Sequence, residues 1–336
     1  MAPGKETRLD KMDVLVPVPI MPIIARGLDA AFRVHRLFEA SDREAMLAEA
    51  GPHVRGFALG PSHEPIDGAF MARFPRLEIV ASFGVGYDHV DAQWAGEHGI
   101  IVTNTPDVLT EEVADTAIGL LICTVRQLPE AERYLRAGKW LEKNFALTAS
   151  LRGRTIGILG LGRIGKAIAR RAEAFGLKVV YHGRSVQEEE PYLYYPTLVG
   201  MARAVDILMI NTPGGAATRH LVNAEIIEAL GPNGVLINIS RGSVVDEEAL
   251  IAALRARKIL AAGLDVFANE PRVPQALIDL DNVVLLPHVG SASQPTRDAM
   301  GQLVVDNLVS WAAGKGPVTP VPETPWPRAA KAARSA

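Results

Sequence analysis

The stretch Thr155-Ile-Gly-Ile-Leu-Gly-Leu-Gly-Arg-Ile-Gly-Lys-Ala-Ile-Ala169 decides the fold of this chain. It is typical of a short buried strand, a glycine-rich turn and the first turns of a helix. Gly160 permits the tight turn, Gly162 lets a pyrophosphate approach the backbone, and Gly165 lets the helix pack on the strand. Amides at the helix start can then hold a diphosphate without a cationic side chain. The predicted dinucleotide-binding residues are Gly160, Leu161, Gly162, Arg163, Ile164 and Gly165.

Composition limits the class of protein. The chain has 336 residues, 48% of them hydrophobic, which is enough for two domains with substantial cores. The net charge of -3, without a basic stripe, gives no reason to expect nucleic acid as a partner. The single cysteine, Cys123, excludes a disulfide framework and indicates a reducing compartment, so we expect a cytoplasmic protein. Residues 1–12 do not resemble a signal peptide, and we expect no membrane span.

Apolar runs alternate with helical patterns, which predicts parallel βαβ units. Ligands of such sheets bind at the carboxyl ends of the strands, so residues that follow different strands are expected to line one crevice. These residues are Thr212 and Pro213, Ser240 and Arg241, Asp265, and His288. Strands are expected at 13–21, 54–59, 77–82, 100–103, from Thr155, and at 178–182, 205–211, 234–240, 261–266 and 282–287.

Two long helices and one exposed connection complete the pattern. Residues 111–126 form a helix so apolar that we expect it to be buried, either in a core or in a subunit interface. The last helix is expected from about 294 to 313, followed from Gly316 by a poorly ordered tail rich in Pro and Ala. Trp140 and Phe145 lie on the connection after the first of these helices, where a dimer contact and packing on their own domain are both consistent with them.

The end of the second strand of the glycine-turn unit indicates which dinucleotide is preferred. A site that prefers NAD carries Asp or Glu there to bind the ribose 2′-hydroxyl, but this chain has Gly183, then Arg184 and Ser185. A guanidinium and a hydroxyl suit a 2′-phosphate. We therefore expect NADP(H) to be preferred, with NAD(H) as an alternative cofactor; the competing interpretation is a surface turn that happens to contain arginine.

Four ordered motifs resemble the D-isomer-specific 2-hydroxyacid dehydrogenase family, and the resemblance covers most of the chain. The resemblance implies an α/β fold of two domains, with a Rossmann-type cofactor domain inserted into a flavodoxin-like substrate domain. By similarity, residues 1–102 and 289–336 form the substrate-binding domain and residues 103–288 the NAD(P)-binding domain. The motifs are Gly157–Gly165, Asn238–Leu250, Gly263–Pro271 and Leu285–Ser291.

The catalytic set follows from both chemistry and resemblance. Reducing a 2-oxo acid requires a hydride donor, a cation for the carboxylate and carbonyl, and a proton donor for the new alkoxide. Arg241 offers a fork of donors, His288 is a proton donor suited to neutral pH, and Glu270 can orient the imidazole. These residues match the family's catalytic Arg, Glu and His. The family's formate dehydrogenases carry glutamine at the position of Glu270, so this chain departs from them.

The resemblance implies further site residues. Val85 and Gly86 match a loop whose amides take the substrate carboxylate; taken alone, this turn is equally consistent with an ordinary strand–helix connection. Asp265 matches the acid that faces the nicotinamide carboxamide, and Gly290 and Ser291 are expected near that ring. No cluster has metal-ligand spacing, so no metal is expected. We interpret the other histidines as structural: His35, His53, His63, His89, His98, His182 and His220.

Three features resemble the glyoxylate/hydroxypyruvate reductase branch of the family: the Gly183–Ser185 turn, Phe83 and Trp140. In that branch an aromatic side chain of the partner subunit can close the substrate pocket, and Trp140 and Phe145 are the candidates here. The resemblance therefore implies an NADPH-dependent reductase of glyoxylate and hydroxypyruvate that forms a homodimer. Two alternatives stay open, a reductase of bulkier substrates such as phenylpyruvate and a dinucleotide-sensing corepressor.

Overall fold

The computed structural model describes residues 11–62 and 64–327. The chain divides into two compact units, one running up to Leu109 and resuming at Gln294, the other spanning Thr110–Ser293. Both divisions fall slightly after the predicted boundaries at 102 and 288. At the first of them, the strand that contains Val102 pairs through Thr103 with the first unit's sheet. His63, one of the histidines interpreted as structural, lies outside the described residues, as do residues 1–10.

Each unit is built on one parallel sheet. The strands are β1 (Asp13–Val16), β2 (Arg33–Arg36), β3 (Val54–Ala58), β4 (Ile79–Ala81), β5 (Ile101–Thr103), β6 (Thr155–Leu159), β7 (Lys178–His182), β8 (Leu193–Tyr194), β9 (Ile207–Ile210), β10 (Val235–Asn238), β11 (Ala261–Leu264) and β12 (Val283–Leu285). The first sheet has the order β2-β1-β3-β4-β5 and the second β12-β11-β10-β9-β6-β7-β8. These are the flavodoxin-like and Rossmann orders, so the predicted fold class is confirmed.

Helices connect the strands, as parallel pairing requires. They are α1 (Pro22–Ala31), α2 (Arg43–Ala50), α3 (Gly68–Met71), α4 (Ala92–Glu97), α5 (Thr110–Arg126), α6 (Leu128–Arg136), α7 (Arg163–Ala174), α8 (Leu198–Ala204), α9 (Ala224–Leu230), α10 (Glu247–Arg255), α11 (Gln275–Ile278) and α12 (Gln294–Ala312). None of the described helices is both long and apolar enough to span a bilayer.

The first predicted strand is shorter than expected and two edge strands were missed. β1 ends at Val16 because Pro17 and Pro19, which follow it, lack the N–H that a ladder needs. β2 is polar, and its His35 and Arg33 bond to Asp13 on β1, so no apolar run marks it. β8 has only two residues, too few to show a period.

The apolar helix α5 is a core element of the second unit. It packs against α7 and against strands β10, β11 and β12. At the tightest point, a Cβ on Gly263 of β11 would lie 2.4 Å from the hydroxyl of Thr124. Of the two predicted environments, burial in a core is therefore the one observed for this face, which carries Val113, Ala114, Ala117, Ile118, Leu120, Leu121, Thr124 and Val125.

The segment after α12 is not poorly ordered, as far as it is described. Asn307 on α12 is fully buried, and its Oδ1 accepts hydrogen bonds from the amides of Val318 and Thr319 at 2.9 and 3.0 Å. Thr324 binds the backbone of β5 through Val102. The prediction of a poorly ordered tail from Gly316 was therefore wrong up to residue 327, because composition does not show such distant partners.

Candidate active site

The three glycines of the turn after β6 have distinct environments. Gly160 adopts φ +96°, which disfavours any side chain. A Cβ on Gly165 would lie 2.3 Å from the carbonyl oxygen of Gly160, so only glycine lets α7 start there. A Cβ on Gly162 would meet nothing within 4 Å, and no side chain caps the helix that follows. The open face at Gly162, with the amides of the first turn of α7, fits a diphosphate.

The loop after β7 is held at both ends. The hydroxyl of Tyr194 donates to the Gly183 carbonyl at 3.2 Å. At the other end, the main-chain N–H of Gln187 donates to the buried Tyr181 hydroxyl at 2.7 Å. The side-chain Nε2 of Gln187 donates to the Leu161 carbonyl in the glycine turn at 2.9 Å. Between these anchors Arg184 is exposed, with no ion pair in the described part of the chain, and Ser185 beside it is exposed too. Sequence reasoning missed Gln187, which follows no motif.

The predicted residues at the ends of β9 to β12 share one edge of the second sheet. The His288 amide donates to the Asp265 carbonyl at 2.9 Å, and the Asp265 amide donates to the Asn238 carbonyl at 2.9 Å. One strand further along, Thr212 and Pro213 follow β9. The structure thus brings the ends of these strands together, as the parallel order requires.

The side chains of His288 and Glu270 form a hydrogen-bonded pair. The imidazole Nδ1 lies 2.7 Å from Glu270 Oε2, and the side chains retain 32% and 19% of their exposure. Glu270 is itself fixed, because its Oε1 accepts from the Phe267 amide at 2.9 Å. With Nδ1 held by the carboxylate, Nε2 is the nitrogen that would transfer a proton.

Arg241 stands on a turn that is built by a buried asparagine. Asn238 Oδ1 accepts from the Ser240 amide, and Asn238 Nδ2 donates to the Arg241 carbonyl, both at 3.0 Å. The guanidinium Nη1 donates to the Ser240 carbonyl at 2.8 Å. Asn238 was not among the predicted site residues, although a buried asparagine at the carboxyl end of a strand is a usable signal.

Asp265 organises the backbone that follows His288. Its carboxylate accepts from the amides of Val289 at 2.7 Å and Gly290 at 2.8 Å, while Thr116 donates to the Gly290 carbonyl at 3.2 Å. Burial raises the pKa of Asp265, and the two amides act in the opposite direction. The observed partners make Asp265 a support for the backbone of His288, Val289 and Gly290, and its contact with a nicotinamide carboxamide stays a prediction.

The loop after β4, in the first unit, carries Val85 and Gly86. Gly84 adopts φ +128°, and Phe83 is buried beneath the guanidinium of Arg297, which lies 5.5 Å from its ring centroid. Within the described residues, the amides of Val85 and Gly86 donate no hydrogen bond. They are therefore available to an anion.

Trp140 lies on an exposed segment of the second unit. Trp140 is 62% exposed, and the neighbouring Leu141 is 95% exposed. Phe145, by contrast, packs edge-to-face on Tyr134 with 5.3 Å between ring centroids. Of the two candidate aromatics, Phe145 is thus packed within its own segment, whereas Trp140 is presented to solvent.

The described chain holds no group of three or more His, Cys, Asp or Glu side chains that could bind a metal ion. A Rossmann sheet with a glycine turn, in a chain that also has a second parallel α/β unit, is typical of a dinucleotide-binding protein of two domains. The sequence profile of the NAD-binding domain of D-isomer-specific 2-hydroxyacid dehydrogenases matches residues 118–290, more than half of the chain. The protein belongs to this family.

Three proteins with reported names are similar to this chain over nearly its whole length. Glyoxylate/hydroxypyruvate reductase A of Arabidopsis thaliana is 45% identical over 313 residues, which cover 93% of this chain and all of that protein. Hydroxyphenylpyruvate reductase of Plectranthus scutellarioides is 44% identical over the same length, again 93% of this chain and all of that protein. The crystal structure of an NADPH-dependent glyoxylate/hydroxypyruvate reductase of Sinorhizobium meliloti, with NADP and malonate, matches with TM-score 0.88 and 52% identity, covering 95% of this chain and 99% of that one. The prediction of an enzyme is confirmed.

Proposed function

We propose that the protein reduces glyoxylate and hydroxypyruvate with NADPH. The observation that carries the proposal is the 2.7 Å bond between His288 and Glu270 at the same sheet edge as Arg241. The relatives from Arabidopsis thaliana and Sinorhizobium meliloti support the substrate class. In this proposal the Thr110–Ser293 unit binds the cofactor, and the unit that contains Val85 and Gly86 binds the substrate.

The residues divide the chemistry between them. When bound, the reduced nicotinamide supplies the hydride to the carbonyl carbon of the substrate. Arg241 holds the carboxylate and the carbonyl oxygen, and compensates the negative charge that develops on that oxygen. His288 donates the Nε2 proton to the new alkoxide, while Glu270 keeps the ring oriented and balances the imidazolium charge. Asp265 positions the backbone from His288 to Gly290 for this task.

A kinetic panel tests the proposal. Glyoxylate, hydroxypyruvate, pyruvate and phenylpyruvate would each be reduced with NADPH and with NADH. We expect the highest kcat/KM for the first two with NADPH. A second candidate, reduction of phenylpyruvate-type acids, is supported by the hydroxyphenylpyruvate reductase of Plectranthus scutellarioides. A higher kcat/KM for phenylpyruvate would favour that candidate, and no turnover of any acid would reject both.

Replacing Arg184 by alanine should weaken the binding of NADPH and leave the binding of NADH unchanged. A charge-assisted hydrogen bond to a phosphate is worth about 1.5–3 kcal/mol, so we expect the KM for NADPH to rise by roughly ten- to hundredfold. Steady-state kinetics with both cofactors measure this effect. Arg203→Ala, on an exposed face of α8, is the matched control and should leave both values unchanged. Unchanged NADPH affinity in Arg184→Ala, or equal wild-type activity with NADH, would refute the preference.

We also propose a homodimer that covers the exposed segment around Trp140 and Leu141, with Trp140 contributing to the partner's substrate pocket. Sedimentation velocity should give twice the chain mass of 36.1 kDa. Leu141→Glu should shift the protein toward monomer, because it places a charge in the contact. The control Ile278→Glu, at a half-exposed position on α11, should stay dimeric. A monomeric wild type contradicts this arrangement.

The reducing compartment inferred from Cys123 stays a prediction.

A further inference from the structure

The segment Asn104-Thr105-Pro106, directly after β5, holds the loop that contains Val85 and Gly86. The Asn104 side chain donates from Nδ2 to the Val85 carbonyl at 2.9 Å. The Thr105 amide donates to the Gly84 carbonyl at 2.8 Å, and the Thr105 hydroxyl accepts from the Gly84 amide at 2.9 Å. Two consecutive carbonyls of the loop, those of Gly84 and Val85, thus accept hydrogen bonds from the neighbouring residues Thr105 and Asn104.

Fixing these carbonyls also fixes the amides. A trans peptide is planar, with its C=O and N–H pointing in opposite directions. The bond from Asn104 to the Val85 carbonyl therefore turns the Gly86 N–H the other way, and the bond from Thr105 to the Gly84 carbonyl does the same for the Val85 N–H. Within the described residues, neither the Val85 amide nor the Gly86 amide donates a hydrogen bond. The two amides therefore form a pair of oriented donors of the kind that binds an anion.

We propose that Asn104 is a positioning residue for the substrate carboxylate: it does not touch the substrate but aims the Gly86 amide at it. The inference rests on the proposed function, in which Val85 and Gly86 bind that carboxylate. Thr105 does the same for the Val85 amide through its main-chain N–H, which a change of side chain to any residue other than proline leaves in place. Asn104 is consequently the position where the device can be tested.

The backbone of Asn104 is anchored independently of its side chain. The Thr319 hydroxyl donates to the Asn104 carbonyl at 2.6 Å, and the Asn104 amide donates to the Thr319 carbonyl at 3.3 Å. Thr319 is held in turn by the buried Asn307. The segment after α12 therefore braces the loop support, and a change of the Asn104 side chain leaves these bonds in place.

The test is Asn104→Leu, which keeps the approximate size and removes the donor. A misdirected hydrogen bond to a charged group costs a factor of roughly ten to a hundred, so the KM for glyoxylate should rise by that factor. At saturating glyoxylate, kcat should stay within about threefold of wild type, because the reacting groups are unchanged. The KM for NADPH should not change. If the leucine variant fails to fold, Asn104→Ala takes its place.

The methyl ester of glyoxylic acid is the matched probe, since it has the carbonyl without the carboxylate. Its KM should be the same in wild type and in Asn104→Leu. An unchanged KM for glyoxylate, or equal rises for acid and ester, would overturn the assignment. The proposed function fails separately, if the wild-type protein reduces no 2-oxo acid, and the role of Asn104 then falls with it.

Discussion

We expect His288→Asn to lower kcat for glyoxylate by about two to four orders of magnitude, because the proposed function makes His288 the general acid. Asparagine is chosen as the replacement because it suits the backbone conformation at this position. His288 adopts φ +53°, a left-handed conformation that asparagine tolerates better than alanine does. Alanine at this position would add backbone strain to the loss of the proposed proton donor, and the two effects on kcat could not be separated.

A second histidine in the same backbone conformation provides the control. His220 has φ +50° and an exposed side chain, and no role at the site is assigned to it. His220→Asn therefore makes the same substitution at a residue with the same backbone conformation, and kcat should stay within about twofold of wild type. Stopped-flow measurement of the hydride step would exclude product release as the limiting event. A His288→Asn enzyme within a few-fold of wild type would show that another group supplies the proton.

The parts of the fold that sequence could predict are those with a local cause. The positive φ of Gly160, the contact between Gly165 and the Gly160 carbonyl, and the open face at Gly162 each agree with the reason given for that glycine. All three arise within one strand, turn and helix. The buried strands were located for a similar reason, because a short apolar run of strand length that is bounded by turn residues is typical of a buried strand.

The parts that could not be predicted depend on distant partners. β2 carries charged residues because it is an edge strand, and its pairing with Asp13 leaves no periodic signal. Asn307 binds residues 318 and 319, and Asn104 binds Val85; none of these bonds follows from spacing along the chain. At the site, resemblance implies roles for Arg241, Glu270 and His288, whereas the side chains that hold them, such as Asn238 and Asp265, became visible as supports only in the structure.

The tightest steric constraint near the site is at Gly242, directly after Arg241. Its ideal Cβ would lie 1.9 Å from the carbonyl carbon of Phe267 and 2.0 Å from the carbonyl oxygen, so an alanine would collide with main chain rather than with a flexible side chain. The same stretch of backbone carries the Phe267 amide that binds Glu270. The Arg241 turn and the loop that holds Glu270 therefore pack closely at this glycine, and we expect their positions to be coupled.

Gly242→Ala should accordingly lower the free energy of unfolding by about 3 kcal/mol or more, above the usual cost of overpacking a core with side chains. Urea denaturation followed by circular dichroism measures the change. Gly119→Ala is the matched control: it lies on the exposed side of α5, its Cβ would meet nothing within 4 Å, and alanine should stabilise the helix by up to about 1 kcal/mol. Equal stability of the two variants would mean that the Phe267–Ala268 backbone yields easily. The coupling of Arg241 to the His288–Glu270 pair through this contact would then be absent, and the two could be altered independently.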